Sequence, residues 1–403
     1  MADTTWLSWP FFDDSHRRLA DELSSWCDRE IAPVVSGEEH DLDSACRTYV
    51  KLLGAGGWLA YLMPVVHGGV HERPDLRSLC IIRETLGFHS PLADFCFALQ
   101  GLGTTPVVKL GTPEQQAAWL PRIREGDVVT AFAISEPEGG SDVAAMTTTA
   151  RREGDDWIVD GTKTWISNAG IADYYIVFAR WPDGGEKSYV ALLVEAGAPG
   201  LDTSERLEVM APHPIGTIKL HNCRVPGANL IGQPGKGLGV ALATLDLFRS
   251  TVGAAALGYA RRALDEAAAW SQERRTYGKT LAEHQMTRGK LADMAVSVDA
   301  MALLVYRAGW VYDRGGQGRV TREAAMAKLY ATEAAWKVID DAVQLFGGRG
   351  VLKGHPVERL YREIRALRIY EGASEIQKII IANQILSPDA VRAARAPSSD
   401  GNS

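Results

Sequence analysis

The pattern of apolar residues changes twice along this chain of 403 residues, and this change limits the fold more than any other feature. Residues 1–125 read as helices that end at glycine or proline. Residues 126–234 contain short apolar runs separated by turns such as Asp160-Gly161, a pattern typical of β-strands. Residues 235–389 return to long helices with apolar positions three and four apart. The sequence therefore predicts a multidomain α+β protein.

Each of these regions has its own predicted architecture. Residues 1–125 form an N-terminal helical domain. Residues 126–234 form a small antiparallel β domain, because successive strands lack intervening helices. Residues 235–389 form a C-terminal four-helix bundle, because long helices with short connections favour a bundle. The small and polar residues 390–403 are predicted to be a disordered tail.

Composition excludes several classes of protein. Hydrophobic residues make up 46% and charged residues 23% of the chain, which is typical of a folded protein. The net charge of −7 argues against nucleic-acid binding, which needs a concentrated basic face. No apolar run approaches the roughly 20 residues of a membrane-spanning helix, and Met1–Trp6 lacks the basic start of a signal peptide. We expect a cytoplasmic protein without a membrane span.

The cysteines and histidines argue against disulfides and metals. The five cysteines are odd in number, widely spread and without a Cys-x-x-Cys pair. The nine histidines are scattered, and no His-x-x-x-His pair lies on a predicted helical face. The sequence predicts neither a disulfide framework nor a metal site.

Three glycine-containing segments were considered as binding sites. Ser135–Asp142 can expose backbone N–H groups and the Ser141 hydroxyl to an anion, although a surface turn fits the same residues. Phe346–Gly350 either caps a helix or lets the backbone approach a cofactor closely. The glycines between Gly235 and Gly239 have the wrong spacing for a dinucleotide fingerprint, so a flexible entry into a helix explains them better.

Glu371 precedes Gly372 in a break between two predicted helices. Glycine permits unusual backbone angles at this point. A carboxylate over an apolar cavity has its pKa raised by desolvation, which suits a general base at neutral pH. Taken alone, the local sequence fits an ordinary glutamate at a helix end better than a catalytic one.

Seven ordered segments together resemble the acyl-CoA dehydrogenase family of flavoproteins, over nearly the whole chain to about Leu386. They are Ala133–Pro137, Gly140–Asp142, Lys163–Asn168, Arg274–Gly278, Glu283–Gln285, Gln344–Gly348 and Tyr370–Gly372. The resemblance implies an FAD enzyme that oxidises an acyl-CoA thioester to its 2,3-enoyl derivative. It also implies that the electrons pass to an electron-transfer flavoprotein.

The resemblance makes Glu371 the catalytic base, which removes the α-proton while the β-hydrogen leaves as hydride to the flavin. Hydrogen bonds from the base's own backbone N–H and a flavin hydroxyl stabilise the developing enolate. The same resemblance implies that Asp246 and Arg249 contact the thioester arm of the substrate, with Ser141 and Gly372 as further substrate-binding residues. These acyl-CoA contacts favour a dehydrogenase.

The resemblance divides the FAD contacts into two groups. The isoalloxazine ring is lined by Phe132, Ile134, Ser135, Trp165 and Ser167, with Ser141 near the pyrophosphate. The adenine and phosphate end is contacted by Arg274, Thr276, Gln285, Gln344, Gly347 and Gly348, and the phosphates also by Ala373 and Glu375. In the family the adenine end belongs to a neighbouring subunit, which implies a homo-oligomer, either dimer or tetramer, with a shared FAD site.

Two segments depart from the family pattern. Ala373 replaces the usual threonine, so one hydroxyl contact to the FAD phosphates is missing. Met210–Thr217 lacks the usual arginine and serine, which is compatible with an atypical acyl group. The sequence does not determine the acyl chain of the substrate. It is also compatible with four other functions: an acyl-CoA oxidase, a flavin monooxygenase, a dehydrogenase of acyl-carrier-protein substrates and a flavin-free assembly partner.

Overall fold

A computed structural model describes residues 3–315 and 320–387 of the chain. Helices, strands and again helices follow one another, which confirms the predicted α+β fold class. The predicted tail at 390–403 lies outside the described residues. The exact domain limits near residues 125 and 234 stay predictions.

Six α-helices form the N-terminal region. They are α1 (Asp14–Trp26), α2 (Ala32–Val35), α3 (Leu42–Ala55), α4 (Leu76–His89), α5 (Pro91–Leu110) and α6 (Pro113–Arg124). Local sequence explains their starts, because Ser90 and Thr112 accept hydrogen bonds from the backbone N–H groups three residues on. The Gln115 side chain in turn accepts a hydrogen bond from the Thr112 backbone N–H, which completes a capping box. Helix α5 is buried over most of its length and packs against α4 on one side and β1 of the sheet on another.

Seven strands form the central sheet. They are β1 (Thr130–Ala133), β2 (Thr149–Glu153), β3 (Asp156–Ser167), β4 (Tyr174–Arg180), β5 (Tyr189–Glu195), β6 (Leu201–Leu207) and β7 (Ile215–Val225). The central β domain is confirmed, with one difference from the prediction. Strand β1 pairs with β4 in parallel over four residues, and β2 meets β4 in parallel at its first residue. The remaining pairings are antiparallel. The sheet is mixed because a long loop, rather than a hairpin, follows β1.

The C-terminal region begins with one very long helix. Its elements are α7 (Gly237–Glu273), β8 (Arg275–Thr276), β9 (Lys279–Thr280), α8 (Gln285–Asp313), α9 (Thr321–Phe346), α10 (Pro356–Leu367) and α11 (Ser374–Ile385). Helices α7, α8 and α9 pack against one another, and α10 and α11 both pack on α9. The predicted bundle is therefore present, but two short helices make its fourth side. The break between them, residues 368–373, contains Glu371.

Helix α7 connects the regions of the fold. It packs against α4 and α5 of the N-terminal region, β5 of the sheet and α8–α10 of the bundle. The contact with α4 is close enough to require a glycine, because a Cβ on Gly258 would lie 2.1 Å from the Glu84 carbonyl oxygen. Arg249, on the same helix, lies in the interior.

Helices α7 and α8 are long and apolar enough to span a membrane by length and composition alone. The search for uninterrupted apolar runs in the sequence did not find these two helices, because small and polar residues interrupt their apolar stretches. Within the protein, 78% of the most apolar part of α7 is buried, as is common for a core helix. Length and hydropathy are therefore weak evidence for a span here.

Candidate active site

Glu371 lies in the tight turn between α10 and α11. Its backbone φ is +52°, and that of Gly372 is +89°. A positive φ is uncommon for a residue with a side chain and costs roughly 1–2 kcal/mol. Such strained residues are concentrated at functional sites, where the surrounding structure holds them in place.

The Glu371 carboxylate is set up to accept a proton. Its Oε2 atom is buried and has no hydrogen-bond partner among residues 3–315 and 320–387. Burial raises the pKa of Glu371 above its usual value of 4.5, while the positive charges of Arg83, Lys328 and Arg249 act in the opposite direction. An unpartnered carboxylate with a raised pKa has the properties of a general base.

Arg249 is the second candidate in this region. Only 8% of the residue is exposed, and its Nη1 donates to Asp246 Oδ1 at 2.9 Å. Its buried Nε has no partner in the described part of the chain. Because the charge of Arg249 acts on Glu371, the two side chains belong to one site. The structure thus brings Glu371, Arg249 and Asp246 together, with a free arginine donor and a free carboxylate oxygen.

A buried ion pair beside Glu371 was not predicted from the sequence. Arg83 Nε and Nη2 donate to the two carboxylate oxygens of Asp94 at 2.7 and 2.8 Å. A third bond joins Arg83 Nη1 to Thr251 Oγ1 at 3.1 Å. Arg83 and Asp94 each act electrostatically on Glu371, in opposite directions. No local motif could have found the pair, because it comes from α4 and α5, far from Glu371 in sequence.

The residues predicted to line the flavin ring converge from two segments. Phe132 and Ile134 belong to β1 and its end, and Trp165 and Ser167 to the end of β3. Thr164 N donates to the Ser135 carbonyl oxygen at 3.0 Å and joins the segments. Trp165 has a φ of +59° and is 61% exposed, which is unusual for so large an apolar side chain. An exposed indole beside apolar residues suits a flat aromatic ring such as a flavin.

A buried salt bridge links these two segments. The Lys163 ammonium donates to Glu136 Oε1 at 2.8 Å and to the Ile134 carbonyl oxygen at 3.1 Å. Glu136 Oε1 also accepts from the backbone N–H of Thr148 at 3.0 Å. The loop after β1 is therefore fixed at both ends. Ser141, near the middle of that loop, is exposed to solvent.

The residues predicted for the adenine end lie together at one end of the bundle. Trp270 of α7 stacks on Phe346 of α9, with ring centroids 5.2 Å apart. This contact places the segment after α7 beside the segment after α9. The predicted residues in these segments and at the start of α8 are Arg274, Thr276, Gln285, Gln344, Gly347 and Gly348. All but the half-buried Thr276 are exposed, and the space around both glycines is open.

Helix α7 separates Arg249, the candidate for the substrate arm, from Arg274, a candidate for the adenine end. The two residues are separated by roughly 25 residues of this helix, which corresponds to about 37 Å at the rise of an α-helix.

The last two predicted FAD contacts lie at the start of α11. Ala373 is the residue before this helix, and its side chain makes no capping hydrogen bond. Glu375 is exposed in the first turn. Because Ala373 has no hydroxyl, the backbone N–H groups at the start of α11 receive no side-chain cap from this residue.

A cavity of about 390 Å³ lies between the β region and the start of α7. Tyr189 of β5 and Lys187 of the turn before it line one side, and Lys236 lines it from the segment before α7. Tyr189 donates its hydroxyl proton to the Ala144 carbonyl oxygen at 2.7 Å, which attaches the loop carrying Ser141 to this cavity. Two lysines give the opening a positive charge.

Comparison with protein families gives three matches that together cover most of the chain. Residues 13–127 match the acyl-CoA dehydrogenase N-terminal domain, residues 131–223 the middle domain and residues 235–386 the C-terminal domain. The order of the three domains is the order of the helical, β and helical regions.

Similar proteins share this family. The chain is 36% identical to cyclohexane-1-carbonyl-CoA dehydrogenase of Geobacter metallireducens, over 84% of this chain and 88% of that protein. It is 35% identical to human mitochondrial short-chain specific acyl-CoA dehydrogenase, over 93% of this chain and 90% of that protein. The crystal structure of a Bacillus anthracis acyl-CoA dehydrogenase complexed with FAD superimposes with a TM-score of 0.88 at 28% identity, covering 98% of this chain and 72% of that one.

The family resemblance of the sequence is thus confirmed, and so is the prediction of FAD as cofactor. The exposed indole of Trp165 fits a flavin cofactor, and the turn that carries Glu371 fits an acyl-CoA dehydrogenase reaction. The chain belongs to the acyl-CoA dehydrogenase family and is an FAD-dependent oxidoreductase.

Proposed function

We propose that this protein dehydrogenates an acyl-CoA between its α and β carbons, with Glu371 as base, and passes the electrons to an electron-transfer flavoprotein. The observation that carries the proposal is the Glu371 carboxylate, which is buried, unpartnered among the described residues and presented on a left-handed turn. Arg249 beside it supplies a donor with a free N–H.

The chemistry asks two things of the protein. A proton beside a thioester carbonyl is weakly acidic, so the base needs a raised pKa and the developing enolate oxygen needs donors. Burial raises the pKa of Glu371. In this proposal the backbone N–H of Glu371 donates to the enolate oxygen, while Arg249 and Asp246 hold the arm of the substrate. FAD, when bound, accepts the hydride from the β carbon.

The residues around Trp165 are proposed to hold the flavin ring. Phe132, Ile134 and Trp165 offer apolar contacts, and Ser135 and Ser167 offer hydroxyl groups at its polar edge. The Lys163–Glu136 salt bridge supports this assignment, because it fixes both segments before any cofactor binds.

A second copy of the chain is proposed to complete the FAD site. The separation of about 37 Å along α7 between Arg249 at the proposed reaction site and Arg274 supports this, since it places the adenine-end candidates of one chain far from that chain's own reaction site. Arg274, Gln285 and Gln344 all have exposed side chains that face outward from the chain. Arginine and backbone N–H groups suit the pyrophosphate and its negative charge.

The cavity near Ser141 is the proposed entrance for the CoA arm. Lys187 and Lys236 give it the charge that attracts phosphate groups. The acyl group stays open, and the names of the two relatives suggest short and cyclic chains as the first to test. A reducing, cytoplasmic location is proposed as well, because all five cysteines are buried and free.

Anaerobic titration of the FAD-loaded protein with straight, branched and cyclic acyl-CoAs tests the function. The proposal predicts that one class removes the flavin absorbance and that electron-transfer flavoprotein restores it faster than oxygen does. An FAD-loaded protein that no acyl-CoA bleaches would overturn the reaction. Rapid reoxidation by oxygen would favour an oxidase.

A further inference from the structure

We propose that Lys328 is a positioning residue for the reaction, because it holds the Glu371–Gly372 turn in place and supplies a positive charge beside the base. This inference rests on the proposed function, in which Glu371 is the base. It concerns a residue of α9 that lies outside the seven short segments on which the sequence resemblance rests.

The hydrogen bonds of the turn come from α9 and α11. The Lys328 side chain is fully buried, and its ammonium donates to the Gly372 carbonyl oxygen at 2.8 Å. Gln377 Nε2 donates to the same oxygen at 2.9 Å and to the Glu371 carbonyl oxygen at 3.3 Å. Both carbonyl groups of the left-handed turn are therefore held by buried donors.

Helix α9 also holds the two ends of the turn. Glu333, five residues after Lys328, accepts from Arg368 Nε at 2.9 Å and from Ser374 Oγ at 2.5 Å. Arg368 and Ser374 lie on either side of Glu371 in the sequence. Lys328, together with Gln377, thus holds the middle of a turn whose ends are held by α9.

The charge of Lys328 acts on the base. Burial lowers the pKa of Lys328 to about 8, and Glu371 is the charge that most opposes this effect. The other charges that face Lys328 are Arg249, which disfavours its protonated form, and Glu333 and Glu375, which favour it. In return, the lysine lowers the pKa of Glu371 against the effect of burial. A charged Lys328 therefore keeps more of Glu371 ionised.

Packing alone does not explain a lysine at this position. The same face of α9 carries the buried alanines Ala324, Ala331 and Ala335. An apolar side chain would fill the space without the cost of burying a charge, and such replacements are often neutral or stabilising. A role in the reaction accounts for the buried ammonium.

The test compares FAD-loaded wild type with Lys328→Met, which keeps an unbranched side chain of nearly the same length but removes its charge and its donor. We expect the rate of flavin reduction by acyl-CoA at pH 7 to fall about 10- to 100-fold, the usual effect of losing a charged hydrogen bond. FAD content and acyl-CoA binding change less than about 3-fold, which corresponds to well under one such bond. The inflection of the rate against pH moves to higher pH, because Glu371 loses a stabilising positive charge.

Two variants serve as controls. Lys328→Arg keeps the charge, and we expect it to return the inflection towards the wild-type pH. Lys337→Met removes a lysine from the same helix whose side chain is 71% exposed, and it leaves both rate and inflection unchanged. A merely structural role of Lys328 would lower thermal stability without moving the pH inflection.

The outcomes separate this inference from the proposed function when Glu371→Gln is measured in the same series. Wild-type rate and pH profile in Lys328→Met, with an inactive Glu371→Gln, would overturn the role of Lys328 alone. A Glu371→Gln variant as fast as wild type would overturn the base and the role of Lys328 with it.

Discussion

The Lys163 ammonium and the Glu136 carboxylate are 2.8 Å apart in the interior of the β region, and neither residue is more than 4% exposed. This one contact ties the end of β1 to β3, the two segments assigned to the flavin ring. Burial lowers the pKa of Lys163 to about 8, whereas hydrogen bonds outweigh burial at Glu136 and lower its pKa to about 2.

Glu136→Gln is expected to destabilise the protein by about 3–5 kcal/mol at pH 7, because it leaves a buried ammonium unpaired. The folded variant disfavours protonated Lys163, while the unfolded chain binds that proton below its pKa of 10.5. Wild-type Lys163 itself loses its proton near pH 8 in the folded protein, and its pKa in the variant is lower still, so the loss relative to wild type shrinks as the pH rises towards 8 and changes little above it. Denaturant unfolding at several pH values measures it. Glu138→Gln, at an exposed glutamate two residues on, is the matched control, and an equal loss there would refute the role of the pair.

Arg249→Ala is expected to weaken acyl-CoA binding or slow flavin reduction by about 10- to 100-fold, because a buried charged donor is lost. FAD content stays unchanged. Isothermal titration and anaerobic stopped-flow measurements give the two quantities. Arg262→Ala is the matched control, since this arginine lies on the same helix, half-buried in an ion pair with Glu266. Unchanged binding and rate in Arg249→Ala would show that the substrate arm lies elsewhere.

The rate of flavin reduction is expected to rise with pH, with an inflection above 4.5, and to fall again near pH 8, where Lys328 loses its proton. The reason for the rise is that the base works only when ionised, and burial raises the pKa of Glu371 above 4.5. Substrate binding removes more water and moves the inflection further up. Stopped-flow rates between pH 5 and 9 measure the profile. A rate independent of pH over this range would argue against a carboxylate with a raised pKa.

Gly372→Ala is expected to lower the reduction rate by at least about 10-fold. An alanine at a φ of +89° is strained by about 1–2 kcal/mol, and its Cβ would lie 2.6 Å from Gln377 Nε2. Either Gln377 then loses its hydrogen bonds to the turn, or the turn that carries Glu371 shifts. Gly354→Ala is the control, because this glycine has a φ of +88° with open space around it. Its strain is the same, so a difference in rate between the two variants isolates the effect on the turn.

Local sequence predicted those parts of the fold that short-range chemistry decides. The break around Gly372 is present, because it depends on a few neighbouring residues. The parallel pairing of β1 with β4 was not predicted, since strand direction depends on the path of the chain between them.

The partners of Glu371 could not be predicted from local sequence either. Arg83 and Lys328 are 288 and 43 residues before Glu371 in the sequence, and each lies within an otherwise ordinary helix. A lysine in an alanine-rich stripe was the one available signal at position 328. The cluster forms only when α4, α7 and α9 pack together, so no motif contains it.

Glu371→Gln tests the central claim most directly. The substitution keeps the shape of the side chain but removes the base, so the rate of anaerobic flavin reduction should fall by about 10²- to 10⁴-fold. FAD and acyl-CoA binding should stay within about 3-fold of wild type, and Glu371→Asp should retain part of the rate. A Glu371→Gln variant that reduces its flavin at the wild-type rate would contradict the account.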